Sequence, residues 1–132
     1  MVIKALRATA THLEAVAKLF DAYRGFYQQP SNLTQSRAFI AERMAGEESA
    51  IFLAQDEQGD ALGFVQLYPT FSSIDAHRTW LLSDLFTTPA ARGHGVGRLL
   101  MNTARDFAFE PDIKDRQTAK QAQQQSCMDK CR

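Results

Sequence analysis

Apolar and polar positions alternate loosely over Val2-Ile3-Lys4-Ala5-Leu6-Arg7-Ala8, which predicts a first strand. The period then lengthens. Leu13, Val16, Ala17, Phe20 and Tyr23 fall on one face of a 3.6-residue helix, with Thr9 or Thr11 as the cap. Glu14 stands three residues after Thr11, the spacing of a capping box. Gly25 ends or loosens that helix, and Gln28-Gln29-Pro30-Ser31-Asn32 reads as a loop. A second helix is predicted from about Ser36 to Ala45, with Phe39, Ile40 and Met44 inward and Gly46 after it. Ala50-Ile51-Phe52-Leu53-Ala54 is an apolar strand, and Asp56 to Asp60 a turn. Ala61 to Phe71 is a longer strand in which Pro69 marks a bulge or an edge. After the polar stretch Ser72 to His77, Thr79 to Thr87 is another strand. A helix from about Val96 to Phe107 follows, with Leu99, Leu100, Thr103 and Phe107 on one side.

The predicted order, β-α-α-β-β-β-α, suits an α/β protein of the α+β kind, with an antiparallel meander and a strand–loop–helix unit at its end. No linker divides it, and 132 residues suit one domain with a core of its own. The pattern changes at Glu110. From there to Arg132 the chain is polar and Gln-rich, with almost no apolar periodicity. We therefore divide the sequence into a globular part, 1–109, and a tail, 110–132, that is an exposed helix or disordered.

Charge narrows the function classes. Lys plus Arg and Asp plus Glu number 15 each, so the chain lacks the bulk positive charge of many nucleic-acid binders. No apolar run reaches the roughly 18–20 residues that span a bilayer, and the first residues lack the apolar core of a signal peptide. The cytoplasm is the expected compartment. The two cysteines, Cys127 and Cys131, have no companion pair for a zinc site, and no metal is expected.

The candidate chemistry sits where the last strand meets the last helix. Arg92-Gly93-His94-Gly95-Val96-Gly97-Arg98 places three glycines two apart at a helix start. Glycine admits positive φ and close approach to backbone N–H groups. The first turn of a helix has unpaired donors and a partial positive charge. Together these suit phosphate oxygens, with Arg92 and Arg98 adding charge; a tight structural turn is the competing reading. A dinucleotide-binding loop fits poorly, because no parallel strand follows, and a Walker loop would need Gly-Lys-Ser/Thr.

This loop resembles the acyl-CoA loop of the GNAT superfamily of N-acetyltransferases, whose pattern is Arg or Gln, two residues, Gly, one residue, Gly or Ala. Asp84-Leu85-Phe86-Thr87-Thr88-Pro89 resembles the strand before it, and Tyr68 to Ser73 and Trp80-Leu81-Leu82 resemble a subgroup of small members. The resemblance covers residues 1 to about 108. It implies a mixed, mainly antiparallel sheet flanked by helices, with acetyl-CoA as acyl donor. Leu85, Phe86 and Thr87 would then touch pantetheine and the acyl group. Arg92, Gly93, Gly95, Val96 and Gly97 would meet the pyrophosphate, with His94 and Arg98 beside them. A backbone N–H near Phe86 or Thr87 would polarise the thioester carbonyl.

The acceptor is expected to be a primary amine of a small molecule, with Phe26 and Tyr27 lining its site and Tyr23 in the core. Asp84 is the candidate general base; a turn-pairing aspartate is the alternative. Related enzymes carry a glutamate one place earlier, where this chain has Ser83. The family pattern continues with further strands and a tyrosine that protonates the thiolate, and 110–132 contains no tyrosine. This predicts a truncation or a reading-frame change, a sheet lacking its usual final strands, an exposed edge that favours a homodimer, and weak turnover. The alternative function is a CoA-binding module without efficient catalysis.

Overall fold

The computed structural model describes residues 2–109. The expectations for 110–132, including the missing final strands, lie outside the described residues.

Four strands lie side by side in chain order, each antiparallel to its neighbour: β1 (Ile3–Arg7), β2 (Ala50–Asp56), β3 (Ala61–Ser72) and β4 (His77–Thr87). β2 has Ala50 through Ala54 buried in succession, because both faces of the sheet are covered. Ile51 and Leu53 pack with Val16, Phe20 and Ile40 from α1 (Leu13–Phe26) and α2 (Leu33–Ala45). Ala50, Phe52 and Ala54 pack on the other side with Leu100 and Ala104 of α3 (Val96–Ala108). The fold is thus mixed α+β, an antiparallel sheet between two helices and one.

A bulge in β4 decides which side chains reach which layer. Gln66 stands opposite Asp84 and Leu67 opposite Leu82, so Ser83 is an extra residue. Alternation would put all even residues of β4 on one face. Instead Leu82 joins the core under α3 and Phe86 joins the core under α1 and α2. The same switch turns Asp84 toward α1.

Several local details differ from the pattern-based reading. The capping box is Thr9 with His12, whose Nδ1 accepts from the Thr9 N–H at 2.9 Å, and a 3-10 turn over Ala10–His12 precedes α1. Thr11 is spent on the Thr9 hydroxyl, and Glu14 pairs with Arg37 of α2. Gly25 does not stop α1, which runs on to Phe26. α2 starts earlier, at Leu33, because Asn32 accepts from the Gln35 N–H at 3.0 Å. The Asp21 carboxylate steadies that start, accepting from Ser31 Oγ at 2.6 Å, Asn32 N–H at 2.9 Å and Ser36 Oγ at 2.8 Å. These bonds hold Asp21 below its ordinary range, with the Ser31 hydroxyl the largest cause.

The inward seam of α3 is Val96, Leu100, Met101, Ala104 and Ala108, with Phe107 at its border. Leu99 and Thr103 are only partly buried, and Thr103 turns its hydroxyl back to the Leu99 carbonyl at 2.8 Å. Small alanines at 104 and 108 form part of the sheet-facing side of the helix. Pro69 sits beyond Leu67, where β3 has left β2 and pairs with β4 alone, so the missing N–H lies in a two-stranded ribbon.

Candidate active site

β4 delivers the chain to the loop at Thr87. A 3-10 turn over Pro89–Ala91 follows, then Arg92 in extended conformation. Gly93 and Gly95 take φ of +84° and +82°, values that disfavour any side chain. Gly95 is the N-cap of α3, with no side-chain cap and no acidic residue in the first turn, while Val96 is buried as the anchor. Among the described residues the first-turn amides therefore have no side-chain acceptor, and the positive end of the helix dipole faces the loop. A hollow of about 480 Å³ lies there, lined by Arg92, Gly93, Gly95, Val96, Gly97 and Arg98 together with Thr87 and Ala91.

A second hollow, of about 360 Å³, adjoins it and shares Thr87, Arg92 and Gly97. Its other walls are Leu85 and Phe86 of β4 and Tyr23, Phe26 and Tyr27 at the end of α1. Phe26 and Tyr27 are 58% and 45% exposed, and both border this hollow. Arg92 stands at the joint. Its guanidinium carbon lies 6.0 Å from the ring centres of both Phe26 and Phe86, and its Nε donates to the Thr87 carbonyl at 3.2 Å. Gly97, bare of a side chain, borders both hollows.

Most of the residues singled out from the sequence thus meet in one cleft: Leu85, Phe86 and Thr87, the loop residues Arg92, Gly93, Gly95, Val96, Gly97 and Arg98, and the aromatic pair. His94 is exposed and lines neither hollow. Ser83 and Asp84 do not line it either. A larger hollow, about 520 Å³, lies between the end of β1 and the end of α2, walled by Ala8, Leu13, Met44 and Ile51 among others. It is remote from the glycine loop, and volume alone does not mark the site.

Asp84 is only 8% exposed. Gln66 Nε2 donates to it at 2.6 Å, the Tyr23 hydroxyl donates as well, and Ser83 Oγ stands at 3.4 Å. Gln66 is held in turn by Ser49, whose hydroxyl donates to Oε1 at 2.8 Å. Burial pushes the Asp84 carboxyl above its usual range, against the pull of these donors. The Tyr68 phenol is pushed up to about 12, by burial first and then by the Asp84 charge, with Arg43 opposing.

Three of these residues escaped the sequence reading. Tyr23 was expected in the core; its ring packs there against Phe20, Phe64 and Phe86, yet it also walls the cleft. Gln66 is the one polar side chain in the run Leu62 to Leu67, and a buried amide needs partners, which is the signal that could have found it. Gly63 lies where the β4 backbone leaves no room for a side chain: a Cβ there would stand 2.5 Å from the Phe86 carbonyl oxygen.

An antiparallel sheet whose fourth strand feeds an uncapped, glycine-rich helix start beside a cleft is the arrangement of an acyl-CoA acyltransferase. The family model described as the Acetyltransferase (GNAT) family matches residues 14–127, and the chain belongs to this family as a GNAT-type acyltransferase. It is 44% identical over 108 residues to the uncharacterised N-acetyltransferase YhfO of Bacillus subtilis, covering 82% of this chain and 72% of that one. It is 37% identical over 105 residues to a "Probable acetyltransferase" of Haemophilus influenzae, with 80% and 72% covered. Among solved structures, a "probable acetyltransferase" is similar with a TM-score of 0.76 and 34% identity, covering 90% of this chain and 87% of the other. The AAC(6')-Iy complex with the bisubstrate analog CoA-S-monomethyl-acetylneamine shares the fold, with a TM-score of 0.67 at 20% identity over 92% and 89% of the chains. Among the described residues no helix is long and apolar enough to cross a membrane.

Proposed function

We propose that this chain transfers an acetyl group from acetyl-CoA to a primary amine of a small molecule, in the cytoplasm and without a metal. The observation that carries the reading is the uncapped loop at the start of α3, whose hollow shares Thr87, Arg92 and Gly97 with the adjoining aromatic cleft. The loop amides, with Arg92, His94 and Arg98 around them, take the pyrophosphate. Leu85, Phe86 and Thr87 take pantetheine and the acyl group, and an N–H of this stretch polarises the thioester carbonyl. Phe26 and Tyr27 form the acceptor wall. Asp84, with Ser83 beside it, is the proton acceptor. Residues 1–109 do this work, with 110–132 as an appended tail, and we include pairing of two chains in the reading.

One observation favours the second reading, a CoA-binding module without efficient catalysis: Asp84 lies behind the cleft wall rather than in it. Thermal unfolding with acetyl-CoA, followed by thiol release with an amine panel, separates the two. At a hundredfold excess over Kd the ligand stabilises by about 2.7 kcal/mol. Gly95→Val, forced into left-handed φ at the approach to the amides, is expected to abolish that shift. Unchanged binding by Gly95→Val refutes the loop assignment; binding without thiol release from any amine selects the module.

A further inference from the structure

The acetyl-transfer reading gives Asp84 the amine's proton, yet this carboxylate is buried behind the cleft. Its bonding partners are Gln66, Tyr23 and Ser83. Among the described residues, Tyr23 alone of these three also lines the hollow bounded by Leu85, Phe86 and Tyr27. Its ring is fixed by aromatic neighbours on several sides: Phe64 at 5.8 Å, Phe86 at 6.4 Å, Tyr27 at 5.2 Å and Phe20 at 6.2 Å between ring centres. That packing holds Tyr23 at the boundary, hydrogen-bonded to Asp84 on one side and lining the hollow where an acceptor would sit on the other.

We propose that Tyr23 is a catalytic residue, whose hydroxyl takes the acceptor amine's proton while passing its own to Asp84. The inference rests on the acetyl-transfer reading and names the path it lacks. The amine nitrogen forms a bond to the thioester carbon, and the carbon–sulfur bond breaks with its electron pair leaving on sulfur. The amine proton moves to Tyr23 Oη as the Tyr23 proton moves to an Asp84 oxygen. The thiolate takes a proton from water, and Asp84 returns its own to solvent through Tyr23. A lone phenol, with an ordinary pKa of about 10, is a poor base at neutral pH; coupled to a carboxylate it never has to carry the charge.

The electrostatic surroundings of the pair are defined. Tyr23 approaches from α1, Gln66 and Tyr68 from β3, and Ser83 from β4 itself. Arg43 of α2 acts on Tyr68. Of these, Arg43 is the cation, and its guanidinium is already engaged with Glu42 at 2.9 Å and Glu48 at 3.1 Å. Among the described residues, Asp84 thus has hydrogen-bond donors but no guanidinium or ammonium bound directly to it.

The test compares wild type, Tyr23→Phe, Asp84→Asn and the double variant for thiol release, CoA affinity and pH profile. Tyr23→Phe keeps the ring and its packing, so CoA affinity stays unchanged. Turnover should fall about 10²- to 10⁴-fold. Asp84→Asn should fall as far, and the double variant no further, because the two act as one unit. The low-pH limb set by Asp84 ionisation in wild type should vanish in Tyr23→Phe, which a packing role would not cause. A Tyr23→Phe enzyme with parental turnover and pH profile, or a double variant whose loss is the product of the single losses, overturns the relay. Failure of wild type to release thiol with any amine instead sinks the acetyl-transfer reading, and the relay with it.

Discussion

Gly63→Ala adds one methyl group at a point of β3 pressed against the β4 backbone. An ideal Cβ at this position stands 2.5 Å from the Phe86 carbonyl oxygen, 3.2 Å from Val96 Cγ1 and 3.3 Å from Leu100 Cδ1. The two side-chain contacts are merely tight, and Val96 and Leu100 can yield a few tenths of an ångström. The carbonyl cannot, because it is backbone and Phe64 opposite Phe86 is paired in the same ladder. The strands must part by roughly half an ångström or more to restore ordinary contact, the range in which a tightly packed site loses much of its dispersion energy. Overpacking of this kind costs about 1–3 kcal/mol. Alanine's lower unfolded-state entropy returns about 0.4–1 kcal/mol at most. The expected net loss is therefore about 1–2 kcal/mol, or about 4–8 °C in Tm for a domain of this size. Because the displaced carbonyl belongs to Phe86, the cleft that Phe86 and Tyr23 help to wall should be disturbed as well, and CoA affinity should drop with stability. Differential scanning calorimetry with and without CoA reads both. A variant that melts within about 1 °C of the parent and binds CoA equally would show that β3 and β4 are not held at this separation.

Two further outcomes follow from the charge and edge geometry. Asp84 has a folded-state pKa raised above the ordinary 3.8, so its contribution to stability is fully present below that value and lost as pH rises through the folded pKa. The Tm difference between Asp84→Asn and the parent should therefore move in the variant's favour from about pH 4 toward neutrality; parallel melting curves across that range would contradict the buried-charge account. β4 pairs only with β3 among the described residues, so light scattering over a concentration series is expected to show dimers or larger species, and a single-chain mass at every concentration would discard pairing through that edge.

The legible parts of the sequence were those governed by one local rule at a time. The helical period of Leu13 to Tyr23, the apolar run of β2 and the glycine spacing before α3 each led to the right element in the right order. The illegible parts depended on two elements at once. Thr9 was named beside Thr11, but only the 3-10 turn decides that His12 rather than Glu14 closes the box. The inward seam of α3 could not be read from the larger residues, because Ala104 and Ala108 lie on its sheet-facing side while Leu99 is only partly buried. Tyr23 looked like any aromatic on an apolar face; its second role depends on a carboxylate more than sixty residues away in the chain. The alternation of β4 misleads for a related reason, since the bulge at Ser83 changes the face assigned to every residue after it.

That bulge has a consequence for how this site tolerates change. Along β4 the orientation of a side chain depends on a count of residues, and the count is odd on one side of Ser83 relative to the other. A substitution at Ser83 preserves the count, so Asp84 still meets Tyr23 and Phe86 still walls the cleft; its effect is graded. Removal of Ser83 itself makes Leu82 and Asp84 consecutive, opposite Leu67 and Gln66, so simple alternation keeps both on their present faces and only the bulge is lost. Removal of a residue elsewhere in β4 has no such outlet and inverts the faces on one side of the gap. The hairpin tip at Ser73–Ala76, which pairs with nothing in the ladder, has no such constraint on length. Length variation is therefore absorbed at two places, the bulge and the hairpin tip, and forbidden in the stretches of β4 between and beyond them.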